Sequence, residues 1–216
     1  MALLRINWDT RASIAPQAAA TGDAVATDAN AGSRFLERPM LVYVTSDDAT
    51  NSISRKLEDV GFADERVAIG SKFFKCVKIS AGNALQDRLI KANGKATPRL
   101  LFVKRDYTVM ATLEKKNLSG GKIVKAMAKL ARAEYKNSFD SMVSSYAKLL
   151  NELDRLEGKK AQIADNERRV REKPNKSKAK KIEREKAKYD KAVADWKAKE
   201  EKLLAFKPKA LKKSVT

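Results

Sequence analysis

The chain is 216 residues long and 34% charged, with a formal net charge of +19 and a pI near 10.0. That length holds one ordinary domain and an appendage, and the charge balance points to anionic partners: nucleic acid, acidic proteins or a membrane surface. Histidine is absent and Cys76 is the single cysteine, which excludes an intramolecular disulfide, a cysteine zinc cluster and histidine-based acid–base chemistry.

In chain order, Met1–Trp8 lacks a basic-then-apolar signal pattern, and no apolar run approaches the length of a membrane span. A cytoplasmic protein with no membrane association is the expectation. Residues 12–33 are mostly Ala, Ser, Thr, Gly and Asp, with little to bury, so residues 1–35 read as a flexible leader. Met40–Thr45 is a β-branched and aromatic run suited to a buried strand. Ser52–Val60 carries Ile53, Leu57 and Val60 at helical spacing, and Phe73–Ile79 alternates as a second strand around Cys76.

Asn83–Ala92 predicts a helix with Leu85, Leu89 and Ile90 inward, closed by Asn93-Gly94. Leu100–Val103 and Thr108–Leu113 read as strands joined by the Lys104–Tyr107 turn. Ser119 then opens a helix with Ile123, Val124, Met127 and Leu130 on one face. Residues 36–134 therefore form an α/β domain, a mixed sheet with flanking helices in the order β-α-β-α-β-β-α.

From Ile123 onward only Gly158 interrupts the helical pattern before Pro174, so the last domain helix is expected to run straight into an arm, residues 135–207. Its apolar seam steps by four and three through Tyr135, Phe139, Met142, Tyr146, Leu149, Leu153, Leu156, Ile163 and Val170, with Lys160 and Glu167 as polar insertions. Beyond Pro174, Ile182, Tyr189, Trp196 and Leu203 recur every seven residues. Pairing outward from Pro174 sets Val170 against Ile182, Ile163 against Tyr189, Leu156 against Trp196 and Leu149 against Leu203, with Glu167 opposite Lys186. A constant register of this kind predicts an antiparallel coiled-coil hairpin with its tip near 173–177, followed by a basic tail, residues 208–216. The competing reading is two separate helices folded back on the globular domain.

Positive charge concentrates toward that tip. Residues 1–35 hold three basic and three acidic residues, 36–134 hold 19 and 11, and 135–216 hold 24 and 13. Arg168, Arg169, Arg171, Lys173, Lys176, Lys178, Lys180, Lys181 and Arg184 crowd the turn and form the candidate interaction surface. Such density repels itself unless an anion neutralises it, and phosphate backbones are the usual anions. The alternative is a solvated, charge-rich turn. No aromatic residue is interleaved there, so any nucleic-acid contact is expected to be backbone-driven and poor in sequence preference.

The element order of residues 39–134, together with Ala96-Thr97-Pro98-Arg99-Leu100-Leu101-Phe102, resembles the thioredoxin-like fold, in which a cis-proline opens the third core strand. Pro98 stands at that place. The resemblance covers a little under half of the chain. In redox-active members a Cys-x-x-Cys begins the helix after the first core strand; aligned from Leu41–Thr45, it falls here on Ala49-Thr50-Asn51-Ser52. Neither alanine nor serine supplies the thiolate or the resolving thiol that the chemistry needs. Asp47, Asp48, Thr50 and Ser52 read instead as capping and first-turn residues. By resemblance, the surface around the cis-proline can hold an extended peptide, which makes Asp47, Asp48, Thr50, Thr97 and Pro98 peptide-groove candidates.

These readings predict a protein that is not an enzyme and uses no cofactor or metal. It is expected to act as a redox-inactive thioredoxin-like binding or scaffold protein whose basic coiled-coil arm contacts a protein partner. The alternative is nucleic-acid or ribonucleoprotein binding through the basic tip. A thiol oxidoreductase using Cys76 is disfavoured, because a cysteine set among Phe73, Phe74, Val77 and Ile79 behaves as a small hydrophobe. Oligomeric state is left open.

Overall fold

The structure, a computed structural model, describes residues 5–14, 36–48, 50–205 and 209. The described chain divides into two compact units, residues 5–141 with Lys209, and residues 142–205.

The first unit is built on a five-stranded mixed sheet in the order β1-β3-β2-β4-β5, comprising β1 (Asp9–Thr10), β2 (Met40–Val44), β3 (Lys75–Ile79), β4 (Arg99–Val103) and β5 (Val109–Glu114). β1 and β2 both run parallel to β3, β4 runs antiparallel to β2, and β5 is antiparallel to β4. Strands β2 and β4 are buried along their whole length. That is why they read as near-continuous apolar runs, MLVYV and, after Arg99, LLFV, and not as alternating ones.

Successive side chains take opposite faces. Met40, Val42 and Val44 join Val77, Ile79, Leu101, Val103, Ala84 and Ile90 in one cluster, covered by the short helices α3 (Ala81–Gln86) and α4 (Arg88–Ala92). The other face carries Tyr43, whose ring meets those of Trp8 at 5.6 Å and Phe62 at 5.2 Å. The remaining helices of this unit are α1 (Ser52–Lys56), continued by a π-helical turn Leu57–Gly61, then α2 (Glu65–Ser71) and α5 (Gly120–Glu134).

Four local expectations change. Residues 5–14, placed by sequence inside a flexible leader, supply β1 and bury Ile6 and Ile14. The anchor is the buried carboxylate of Asp87, whose Oδ2 accepts from Ser13 Oγ at 2.6 Å and Ile14 N at 2.7 Å. The rest of the predicted leader lies outside the described residues.

The helix expected over 83–92 is broken at Asp87, which caps α4 by accepting from the Leu89 and Ile90 amides. Leu85 consequently faces solvent, while Ile90 is buried. Along Ser52–Val60, the π-helical turn adds a residue to one revolution and rotates the residues after it by about 100°. Leu57 is buried, whereas Ile53 and Val60 are exposed.

The last domain helix does not run on into the long helices. α5 ends at Glu134, Tyr135 is extended (φ −115°, ψ 152°), and a new helix α6 (Phe139–Glu172) starts after Ser138, whose Oγ accepts from Ser141 N at 3.2 Å. No glycine or proline causes the break. Tyr135 is pulled out by its own contacts: its hydroxyl donates to Phe73 O at 2.5 Å and its ring packs on Phe74.

The second unit consists of most of α6 and of α7 (Lys176–Leu204), linked by the turn 173–175. Leu149, Leu156, Ile163 and Ile182 are buried; Val170, Tyr189, Val193, Trp196 and Leu203 are half-buried, and most residues between them are exposed. The stripe at heptad spacing is thus the least exposed face of the two helices, while their charged faces remain in solvent. Among the described residues no helix is long and apolar enough to cross a membrane.

Candidate functional site

Two regions collect the residues singled out by sequence, one in each unit. In the first unit, β2 and β4 pair with Val44 opposite Arg99. Antiparallel pairing therefore brings the chain leaving β2 (Thr45 to Thr50) and the chain entering β4 (Thr97-Pro98) to one end of the sheet. The Thr97–Pro98 peptide bond is cis. Asp47, Asp48 and Thr50 are exposed, Thr97 is half-buried and Pro98 is buried.

The carboxylate of Asp48 accepts from Thr50 N at 2.8 Å and Thr50 Oγ1 at 2.6 Å, which holds its pKa below the ordinary aspartate value. Asn51 is the helix cap: its Oδ1 accepts from Ile53 N at 3.0 Å and Ser54 N at 3.1 Å. Capping therefore falls to Asn51 and not to Asp47, Asp48 or Thr50, while Ser52 stands in the first turn of α1 as the sequence suggests. Ala49 lies outside the described residues.

Behind this end sits a buried charge that sequence reasoning passed over. Arg99 donates from Nη1 to Ala96 O at 2.7 Å and from Nη2 to Ile90 O at 3.3 Å, tying α4 and the loop before Pro98 to the sheet. Burial lowers its pKa, and the carboxylate of Glu114, its cross-strand neighbour, opposes that shift. Gly94 completes the loop at φ 116°, where a Cβ would stand 2.5 Å from Glu114 Oε1. Arg99 interrupts an apolar run; that was its one visible signal in the sequence.

Cys76 takes no part in this end of the sheet. On β3 it pairs with Leu41 of β2, three residues from Val44, or about 10 Å along a strand. Its thiol donates to the carbonyls of Ser71 at 3.6 Å and Phe74 at 3.9 Å, and burial pushes its pKa up to about 12. Burial of this kind disfavours the thiolate, which is the nucleophilic form.

In the second unit the expected Glu167–Lys186 ion pair is formed between α6 and α7. Ile163 and Tyr189, expected opposite one another, line one cleft of about 330 Å³ with Lys160, Ala164, Glu167, Lys186 and Asp190. The opening sits where charged residues replace large apolar ones in the seam. Farther from the turn, Lys199 pairs with Glu152 at 2.9 Å, within one residue of the expected register, whereas two aromatic side chains bond about two turns away from it. Trp196, expected opposite Leu156, donates its indole N–H to Leu149 O at 2.7 Å, and Tyr146 donates to Glu200 Oε1 at 2.5 Å. The half-buried indole and the buried phenol each place their polar end on a partner in the other helix.

All nine basic candidates, Arg168 to Arg184, are exposed. Asn175 caps α7 by accepting from Lys178 N at 3.0 Å, and the first turn of α7 has no acidic residue. Arg168 and Arg169 both bind Asp165, at 2.6 and 2.9 Å, and Lys181 lies 4.0 Å from Glu185. Among the described residues, the other six have no carboxylate within ion-pairing distance. No group of three or more Cys, Asp or Glu able to hold a metal ion occurs among the described residues either.

No protein-family model, no curated protein and no solved structure matches this chain.

Proposed function

We propose that the chain is a non-enzymatic binding or scaffold protein. In this reading, a redox-inactive domain of the thioredoxin-like type is joined to an antiparallel coiled-coil hairpin whose basic turn end contacts an anionic partner. The observation that carries the reading is the exposed cluster of cations around 173–175, six of them without a carboxylate in reach among the described residues. The strand order β1-β3-β2-β4-β5, the cis Thr97–Pro98 bond and the helix entry at 50–52 support the thioredoxin-like assignment of the first unit. Redox inactivity is supported by the missing thiols at 49–52 and by the buried Cys76. Glu167–Lys186 joins late α6 to the first half of α7, and Glu152–Lys199, Tyr146–Glu200 and Leu149–Trp196 join early α6 to late α7; together these contacts support the hairpin.

Photo-crosslinkers placed singly at Lys173 and at Asp47 test this assignment in native extract, with adducts identified by mass spectrometry. The reading expects a discrete adduct at Lys173 that weakens as salt is raised. Adducts at neither position, or catalysis of disulfide reduction by the purified chain, would refute it.

A further inference from the structure

We propose that the turn end of α6 and α7 binds the phosphate backbone of a nucleic-acid duplex without reading its sequence. The inference rests on the reading of this end as the partner-contact surface, and it names the partner's chemistry. The cations that matter are Arg171, Lys173, Lys176, Lys178, Lys180 and Arg184, all exposed and none with a carboxylate in reach among the described residues. Lys176, Lys180 and Arg184 recur every four residues and so form a line down one side of α7, with about 6 Å between neighbours. Arg171 and Lys173 extend the field across the turn from the end of α6.

Three observations select a phosphate backbone over other anions. The large apolar residues between 168 and 188 are Val170 and Ile182, both in the seam, half-buried and buried respectively. A protein interface draws most of its energy from desolvated aromatic or aliphatic anchors, and this surface offers none. An acidic protein would gain only exposed ion pairs, worth about 0–1 kcal/mol each. A duplex also releases condensed counterions for every phosphate neutralised, a gain that needs no apolar contact.

The stretch 168–188 also contains no aromatic residue, so unstacked bases have nothing to stack on. Binders of single strands depend on that stacking, and a duplex does not require it. Finally, like charges this close destabilise the free turn, so the surface is relieved by a polyanion of matching length more than by scattered carboxylates.

The test uses the full chain and fluorescence anisotropy with short mixed-sequence RNA and DNA duplexes, the corresponding single strands, and polyglutamate. With about six phosphates neutralised, the logarithmic salt slope is about −5, a loss of about 10³-fold in affinity between about 50 and about 200 mM salt. Lys176→Glu/Lys180→Glu/Arg184→Glu is expected to abolish duplex binding at the higher salt, and the Gln versions to flatten the slope by about 3. A control of equal charge change on the first unit, Lys91→Glu/Lys125→Glu/Lys129→Glu, keeps the slope. Helicity of each variant is checked by circular dichroism.

Similar affinity for both duplexes supports the proposal, because the shared chemistry is the phosphate backbone. Polyglutamate or single strands bound as tightly as duplex would overturn it and leave the partner-contact reading standing. Equal duplex binding by the parent and the triple Gln variant would overturn both.

Discussion

Asp87 offers the sharpest test of how the first unit is held together. It is 3% exposed, and its two oxygens serve two different segments. Oδ1 accepts from the Leu89 and Ile90 amides at 2.9 and 3.0 Å, capping α4, while Oδ2 accepts from Ser13 Oγ and Ile14 N. Asp87→Ala removes the cap, at about 1 kcal/mol. It also deprives the buried Ile14 N–H of its acceptor, which leaves two outcomes.

If the segment stays docked, that desolvated donor costs about 1–3 kcal/mol. If it releases, the burial of Ile14 against Met40, Val42 and Val77 is lost, at about 1.5–3 kcal/mol. Either way the total is about 2–4 kcal/mol. Asp87→Asn separates the two roles, because an amide oxygen still caps α4 while its NH2 group meets the Ile14 donor. Denaturant unfolding gives the totals, and hydrogen exchange at residues 6–14 and 88–92 assigns them. Ala is expected to expose both segments and Asn only the first. An Asp87→Ala protein within about 0.5 kcal/mol of the parent, with Ile14 still protected, would refute this account.

The remaining predictions concern other buried groups. Cys76 should resist disulfide reagents near neutral pH in the native state and react once unfolded. Because its folded pKa of about 12 lies above the ordinary 9.0, its contribution to stability is complete below pH 9.0 and fades as pH rises toward 12, as alkaline melting curves will show. Gly70→Ala would put a Cβ 2.5 Å from Phe139 Cζ and 3.1 Å from Met127 Cε, so thermal unfolding should show a loss of about 1–3 kcal/mol. The Arg105–Glu134 pair, at 2.8 Å, is nearly buried. Glu134→Ala should cost about 3–5 kcal/mol in denaturant titration, whereas the double variant Arg105→Met/Glu134→Leu should recover most of it.

What was legible in the sequence was whatever a continuous pattern wrote. β2 and β4 are buried on both faces, so their runs announced them, and the element order followed the same periodicities. That Asp47, Asp48 and Thr50 lie at the same end of the sheet as Thr97-Pro98 could be assembled only through the pairing of Val44 with Arg99, although each piece was visible separately. Features decided by a single tertiary contact were silent. β1 is two exposed polar residues, Asp9 and Thr10, with no pattern, and it exists because Asp87, more than seventy residues away, holds Ser13 and Ile14. The α5–α6 break was masked by a seam that continued through Tyr135, although Asn137-Ser138 carried a capping signal inside it. Gly158, the one breaker noted in that stretch, lies uninterrupted within α6.

The basic cluster illustrates the same division at the level of function. Sequence counts charges, and by that count Arg168 and Arg169 weigh as much as Lys176 and Lys180. Coordinates add which charges are already neutralised: Asp165 lies between the two arginines and accepts from both, whereas no carboxylate among the described residues reaches the two lysines. A phosphate approaching Arg168 or Arg169 competes with an anion already present, and it also meets that anion's repulsion. Reversing those two charges should therefore change the salt slope of duplex binding by less than about one, and Lys176→Glu/Lys180→Glu should change it by about two. Equal effects from the two pairs would mean that exposed ion pairs here exert no local control over the field. The charge reversal of Asp165→Lys gives the converse: it frees both arginines and should steepen the slope.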